Sequence, residues 1–180
     1  MNKLRVLLPA AGVVAASVGG ACAWLLLSAN QAVAVTPPKV SAQIQKICAD
    51  LHTHLPATVD GKARDQTSPS SELTAAWGKS PIVMTCGAAT PAELNPASKT
   101  YNPEAQAVYA NGVAWLPVQV SNGYEFFTTQ REVFIEVFVP SSYNLADGNP
   151  GMDAPTDLSP AIIAGTPKID GTYGADVSPA

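Results

Sequence analysis

His52 and His54 follow Asp50 at two-residue spacings and are the only histidines in the chain. Imidazole nitrogens beside a carboxylate are the material of a zinc site, or of a general base oriented by an acid. On a helix, positions i and i+2 point about 200° apart, so a shared metal would require the turn to unwind and a distant ligand the sequence does not identify. The alternative is a pair of helix-end histidines meeting terminal carbonyls and the helix dipole. Asp50, His52 and His54 are thus the candidate site residues, with no catalytic role, metal or cofactor assigned to them.

Other chemistries find less material. A serine nucleophile needs a base within hydrogen-bond reach, but neither G-x-S-x-G nor S-x-x-K occurs, and Ser68 to Ser71 lie in a polar stretch. Glu125, Glu132 and Glu136 fall in strand candidates, where a pair could serve glycan cleavage or simply face solvent. Trp77, Trp115, Tyr124, Phe126, Phe127, Phe134 and Phe138 concentrate around the same strands, as core or as a stacking platform for a ligand. No phosphate-cradling glycine loop is present. The net charge of −4 and pI near 5.0, with no basic run, exclude nucleic acid as a partner. The expectation is a protein that is not an enzyme.

The 180 residues hold 13% charged and 47% hydrophobic types, with mean hydropathy +0.11, and part of that skew is one N-terminal block. Lys3 and Arg5 precede an uncharged run from Val6 to Leu27, which as a helix would span about 33 Å, enough to cross a bilayer. Cations before the run and none soon after it place the N-terminus in the cytoplasm and the body outside the cell membrane. Ala32-Val33-Ala34 is a cleavage pattern, so residues 1–34 are either an anchor through residues 6–27 or a signal removed after Ala34. Lipidation at Cys22, after Gly19-Gly20-Ala21, is a third course. Without residues 1–34 the body keeps eight cations against fourteen anions, a net of −6. Residues 35–40, with Pro37-Pro38, read as a stiff linker.

With Cys22 in the apolar run, Cys48 and Cys86 are the only pair in the body, and export favours a disulfide over two buried thiols. Ser41 is a good N-cap, and Ile44, Ile47, Cys48, Leu51 and Leu55 share one helical face that Pro56 terminates. Residues 57–72 read as an exposed loop and Leu73 to Trp77 as a short helical turn. From Pro81 to Gly87 the alternation puts Ile82, Met84 and Cys86 on one strand face, so packing the helix on that face joins the sulfurs. Residues 88–110 read as a loop. Gly112 to Val120, Gly123 to Thr129 and Glu132 to Val139 are strands, the first two a hairpin and the third central, stopped by Pro140. Leu158 to Ile163 is an apolar island sized for one docked helical turn, and residues 166–180 read as a flexible tail. The fold class is α+β: one principal N-terminal helix on a small antiparallel sheet of about four or five strands, residues 41–165, preceded by a transmembrane or signal helix.

Cys48-Ala49-Asp50-Leu51, Ala76-Trp77-Gly78, Pro81-Ile82-Val83-Met84-Thr85-Cys86-Gly87, Asn111-Gly112-Val113-Ala114-Trp115 and Val137-Phe138-Val139-Pro140 occur in this order. Over residues 40–165 the chain resembles an uncharacterised actinobacterial family, domain of unknown function 3515. The resemblance implies a small protein with an N-terminal membrane segment or signal and supplies no activity or catalytic residues. Ala114 stands where relatives often carry an acidic residue, so no site is built on that hairpin. Together these readings point to a tethered, non-catalytic protein of the bacterial cell envelope that binds an envelope protein or a cell-wall component. The alternatives are a small exported hydrolase or metal-dependent enzyme, and a secreted soluble ligand-binding protein.

Overall fold

The computed structural model describes residues 32–143 and 151–169. The apolar segment 6–27, Cys22 and most of the expected tail lie outside the described residues. Among the described residues no helix is long and apolar enough to cross a membrane.

Helix α1 spans Ala42–His54, and Ser41 caps it by accepting a hydrogen bond from Ile44 N at 3.3 Å. Its Cys48 and Leu51 are fully buried, and Ile44 and Ile47 pack against the same core, as the helical spacing requires. Strands β1 (Val33–Ala34) and β4 (Thr67–Ser68) form a separate parallel pair, so part of the Ala32-Val33-Ala34 pattern is hydrogen-bonded into the fold.

The main sheet has eight strands, where the sequence reading gives four or five. They are β2 (Thr58–Val59), β3 (Lys62–Asp65), β5 (Thr74–Trp77), β6 (Ile82–Cys86), β7 (Val108–Ala110), β8 (Val113–Val120), β9 (Gly123–Thr128) and β10 (Ile135–Pro140). Their order is β2-β3-β5-β6-β10-β9-β8-β7, with every paired register antiparallel. The β8–β9 hairpin and the central place of β10 agree with the periodicity, although β10 starts at Ile135 because residues 132–134 turn.

The extra strands correct three local readings. Residues 57–72 contain the β2–β3 hairpin, and residues 88–110 end in β7. In both hairpins a two-residue turn has positive φ at each position, Asp60 and Gly61 in one, Asn111 and Gly112 in the other. That is the geometry Asp-Gly and Asn-Gly favour, and its twist matches paired strands. Residues 74–77 form a buried strand rather than a helical turn, because Trp77 is paired on both sides, with Arg64 and with Ile82. Ladder pairing and burial outweigh the helix preference of Leu and Ala.

The apolar island is also longer than one turn. Helix α2 spans Asp153–Gly165 and buries Leu158 and Ile162 completely. Pro160 lies inside it and cannot donate to Thr156 O, four residues back. Asn111 Nδ2 donates to that carbonyl instead, at 3.2 Å. Residues 166–169, expected in the tail, are docked: Thr166 is buried and Arg131 pairs with Lys168 in an isolated antiparallel bridge.

Both helices bury their apolar faces in one cluster with Trp77, Met84, Trp115, Phe126 and Ile135. On the other side of the sheet a smaller cluster of Leu116, Phe127 and Phe134 lies under Ala88, Leu94 and Ala105 of the long connection. Cys48 on α1 and Cys86 on β6 form the disulfide, with Cα atoms 5.7 Å apart.

Candidate functional site

Asp50, His52 and His54 occupy the last two turns of α1, and the helix stays regular through His54. Their side chains therefore diverge as the helical angle dictates. His54 Nε2 lies 3.9 Å from Asp50 Oδ1, both side chains being largely exposed. His52 points the other way, into a cleft of about 420 Å³ against β3, β4 and β5. Asp50 lines a different cleft, of about 660 Å³, at the C-terminal end of α2. The three candidates are not brought together, and among the described residues no group of three His, Cys, Asp or Glu side chains is placed to hold a metal.

Within the His52 cleft, Arg64 Nη2 lies 2.7 Å from His52 Nε2. Guanidinium can only donate, so Nε2 accepts and the imidazole is neutral, carrying its proton on Nδ1. Burial is the main reason the His52 pKa falls below its ordinary value, with the Arg64 cation adding to it and Glu72 opposing. Arg64 also lies over the Trp77 ring, 5.9 Å from its centre, and Trp77 Nε1 donates to Pro56 O at 3.2 Å. Ser70 and Ser71 line the same cleft. Ser71 Oγ accepts from Leu73 N at 3.1 Å, and the lone pair of His52 that would take a serine proton is held by Arg64. The arrangement suits a polar binding surface in which an imidazole orients a guanidinium.

The strand carboxylates divide. Register puts Glu125 on β9 diagonal to Glu136 on β10, on the sheet face away from the helices, while Glu132 is exposed in the turn before β10. Burial raises the Glu136 pKa, with Glu125 adding to it; Glu125 is raised by burial and then by Glu93. Of the aromatic residues, Trp77, Trp115, Phe126, Phe127 and Phe134 are core, and Tyr124 and Phe138 are partly buried. Trp115 Nε1 donates to Ser159 Oγ at 3.2 Å inside the core.

Sequence reasoning passes over Arg64 and Arg131. Arg64 lies within β3 and Arg131 between β9 and β10, and the partner of each, His52 or Thr166, comes from another element. The one local signal is an arginine in a chain with so few charges, where each must be placed deliberately.

No curated protein and no solved structure matches the chain. A family model does, described as protein of unknown function (DUF3515), and it aligns with residues 6–170, a span that runs from the apolar segment through α2. The chain belongs to that family.

Proposed function

We propose that the protein is a non-catalytic binding protein of the bacterial cell envelope, tethered by residues 6–27 with its folded domain outside the membrane. The observation that carries this reading is the Cys48–Cys86 disulfide, which ties α1 to the middle of the sheet. Such a bond persists in oxidising compartments and is rare in the cytosol. The cations at Lys3 and Arg5 before the apolar run add the orientation. Retention of the anchor is supported by β1: Val33 N donates to Gln66 O at 2.8 Å and Val35 N to Ser68 O at 3.2 Å. Cutting after Ala34 would remove the strand that β4 pairs with. The engaged Nε2 of His52 supports a binding role over general-base chemistry.

The test is recovery of the tagged full chain from cross-linked native envelopes, with intact-mass measurement after alkylation, with and without reductant. A reproducible envelope partner on an uncleaved chain, with Cys48 and Cys86 alkylated only after reduction, is expected. A chain starting at Val35 with no partner would replace this reading with a released ligand-binding protein. A second reading, a hydrolase using Ser70 or Ser71 with His52, draws on their shared cleft and requires Arg64 to leave Nε2. Loss of a hydrolytic activity in His52→Ala, with folding intact, would establish it.

A further inference from the structure

At the C-terminal end of α2 two cations are held side by side. Arg131, between β9 and β10, is 7% exposed, and it sits opposite Lys168 in the antiparallel bridge. The flanking bonds are Glu132 N to Pro167 O at 3.1 Å and Ile169 N to Gln130 O at 3.3 Å. They make Arg131 and Lys168 a non-hydrogen-bonded pair, the kind whose Cα atoms approach to about 4.5 Å and whose side chains leave the ladder on one side. Like charges placed directly opposite destabilise a ladder.

A guanidinium has five N–H donors, and among the described residues Arg131 uses Nη1 on Thr166 O, at 3.1 Å. Among the described residues no carboxylate forms an ion pair with either cation. Burial disfavours the charge on Arg131, which nevertheless stays protonated. Among the described residues, then, a nearly buried arginine keeps donors that an acid group entering the cleft can engage.

Arg131 and Lys168 both line the cleft of about 660 Å³, which also takes in Ile163, Pro167 and Asp50. Ile163 is 48% exposed although it sits on a helix whose other large apolar residues are buried. The cleft thus offers two cations and an apolar wall. We propose that it binds an organic carboxylate, the acid group held by Arg131 and Lys168 and the apolar body lying on Ile163 and Pro167. An inorganic anion would leave the apolar wall unused, and Asp50 on the same lining disfavours a doubly charged ligand. This deepens the reading of the protein as a binding protein and rests on it, though not on the location of the chain.

The test titrates the full chain in detergent micelles with N-acetyl-leucine, its neutral amide, and inorganic phosphate. Calorimetry reads affinity, and the ¹⁵N signals of the arginine Nε–H groups, three in the whole chain, read the site. Expected are saturable binding of the acid with a shift of the Arg131 signal, binding of the amide weaker by about tenfold or more, and phosphate weaker than the acid. Lys168→Gln, a change at an exposed position, should weaken the acid severalfold without lowering the melting temperature, since it relieves the like-charge pair. Arg131→Gln should abolish binding; if it does not fold, Lys168→Gln alone decides. Equal binding of acid and amide, phosphate binding at least as tight as the acid, an unmoved Arg131 signal, or unchanged affinity in Lys168→Gln would each overturn the carboxylate site. A failed titration with an envelope partner still recovered refutes the carboxylate alone; a successful titration with no partner refutes the envelope reading alone.

Discussion

A neutral His52 that accepts from Arg64 ties folding to pH in a direction opposite to that of the buried carboxylates. Its folded pKa lies below its ordinary 6.5, so between the two values the unfolded chain binds more protons and stability rises with pH. The contribution is complete above about 6.5 and is lost as pH falls through the folded value. His52→Gln should flatten that part of a urea-midpoint curve, and Arg64→Gln should move the imidazole titration, followed by NMR, up toward its ordinary value. Glu136 works the other way, because its folded pKa is raised, chiefly by burial and then by Glu125. Its contribution is favourable below the ordinary 4.5 and is lost as pH rises through the folded value. Glu136→Gln, which keeps shape and removes charge, should therefore raise the urea midpoint at pH 7 and leave it nearly unchanged at pH 4. A lower midpoint at pH 7 would mean the carboxylate has a partner that matters more than its burial.

The disulfide is where residue and element meet. The helical face of α1 and the alternation of β6 each point a cysteine inward, and the bond closes a loop of 38 residues. In the chain-entropy account that is worth about 4 kcal/mol, so replacing both cysteines by Ala should shift the denaturation free energy by about that much. A shift under about 1 kcal/mol would show that the unfolded chain is already restrained there. The same two patterns made α1, β6, β8, β9 and β10 legible in the sequence, because each carries a full period of apolar residues. Elements β2, β3, β5 and β7 were not, since they are short or built from Ala, Thr and Lys and are strands by virtue of their neighbours. Asp60-Gly61, inside a stretch that reads as loop, and Asn111-Gly112, where the loop reading has ended and a strand is read from Gly112, are the tight-turn dipeptides that signal the two hairpins. Helix α2 was foreshortened because Pro155 and Pro160 look like breakers; the first lies in the opening turn, and Asn111 compensates the second. The candidate site was legible only as a list of residue types. That Asp50 and His52 would face different clefts follows from a 100° step, but the arginines that complete each cleft come from elsewhere in the chain.

Both hairpin turns that the sequence hid end on the same stretch of α2. Asp60 N donates to Asp157 Oδ2 at 2.8 Å, and Asn111 Nδ2 donates to Thr156 O at 3.2 Å. Yet the two hairpins are the opposite edges of the sheet. Eight strands laid flat at about 4.8 Å would separate those edges by about 34 Å. Adjacent residues of one helix reach both, so the sheet must curl around α2, and the right-handed strand twist supplies the direction of that curvature. Helix α1 closes on α2 at Gly165, where a Cβ would meet Leu51 Cα at 2.4 Å, so Gly165→Ala should cost about 1–3 kcal/mol through forced separation of the helices. The curl itself is open to a double-mutant cycle. Asp157→Ala removes the acceptor from one edge, and Asn111→Gly removes the donor from the other while keeping the left-handed turn. Each should cost about 0.5–1.5 kcal/mol by urea denaturation, both contacts being at exposed positions. If the two edges are held through one shared helix seat, the double variant should depart from the sum by more than about 0.5 kcal/mol. Hydrogen exchange in either single variant should then quicken at the amides of both hairpins. Additive costs, with faster exchange confined to the altered edge, would instead mean that each hairpin docks on α2 independently and that the sheet keeps its curvature without the helix.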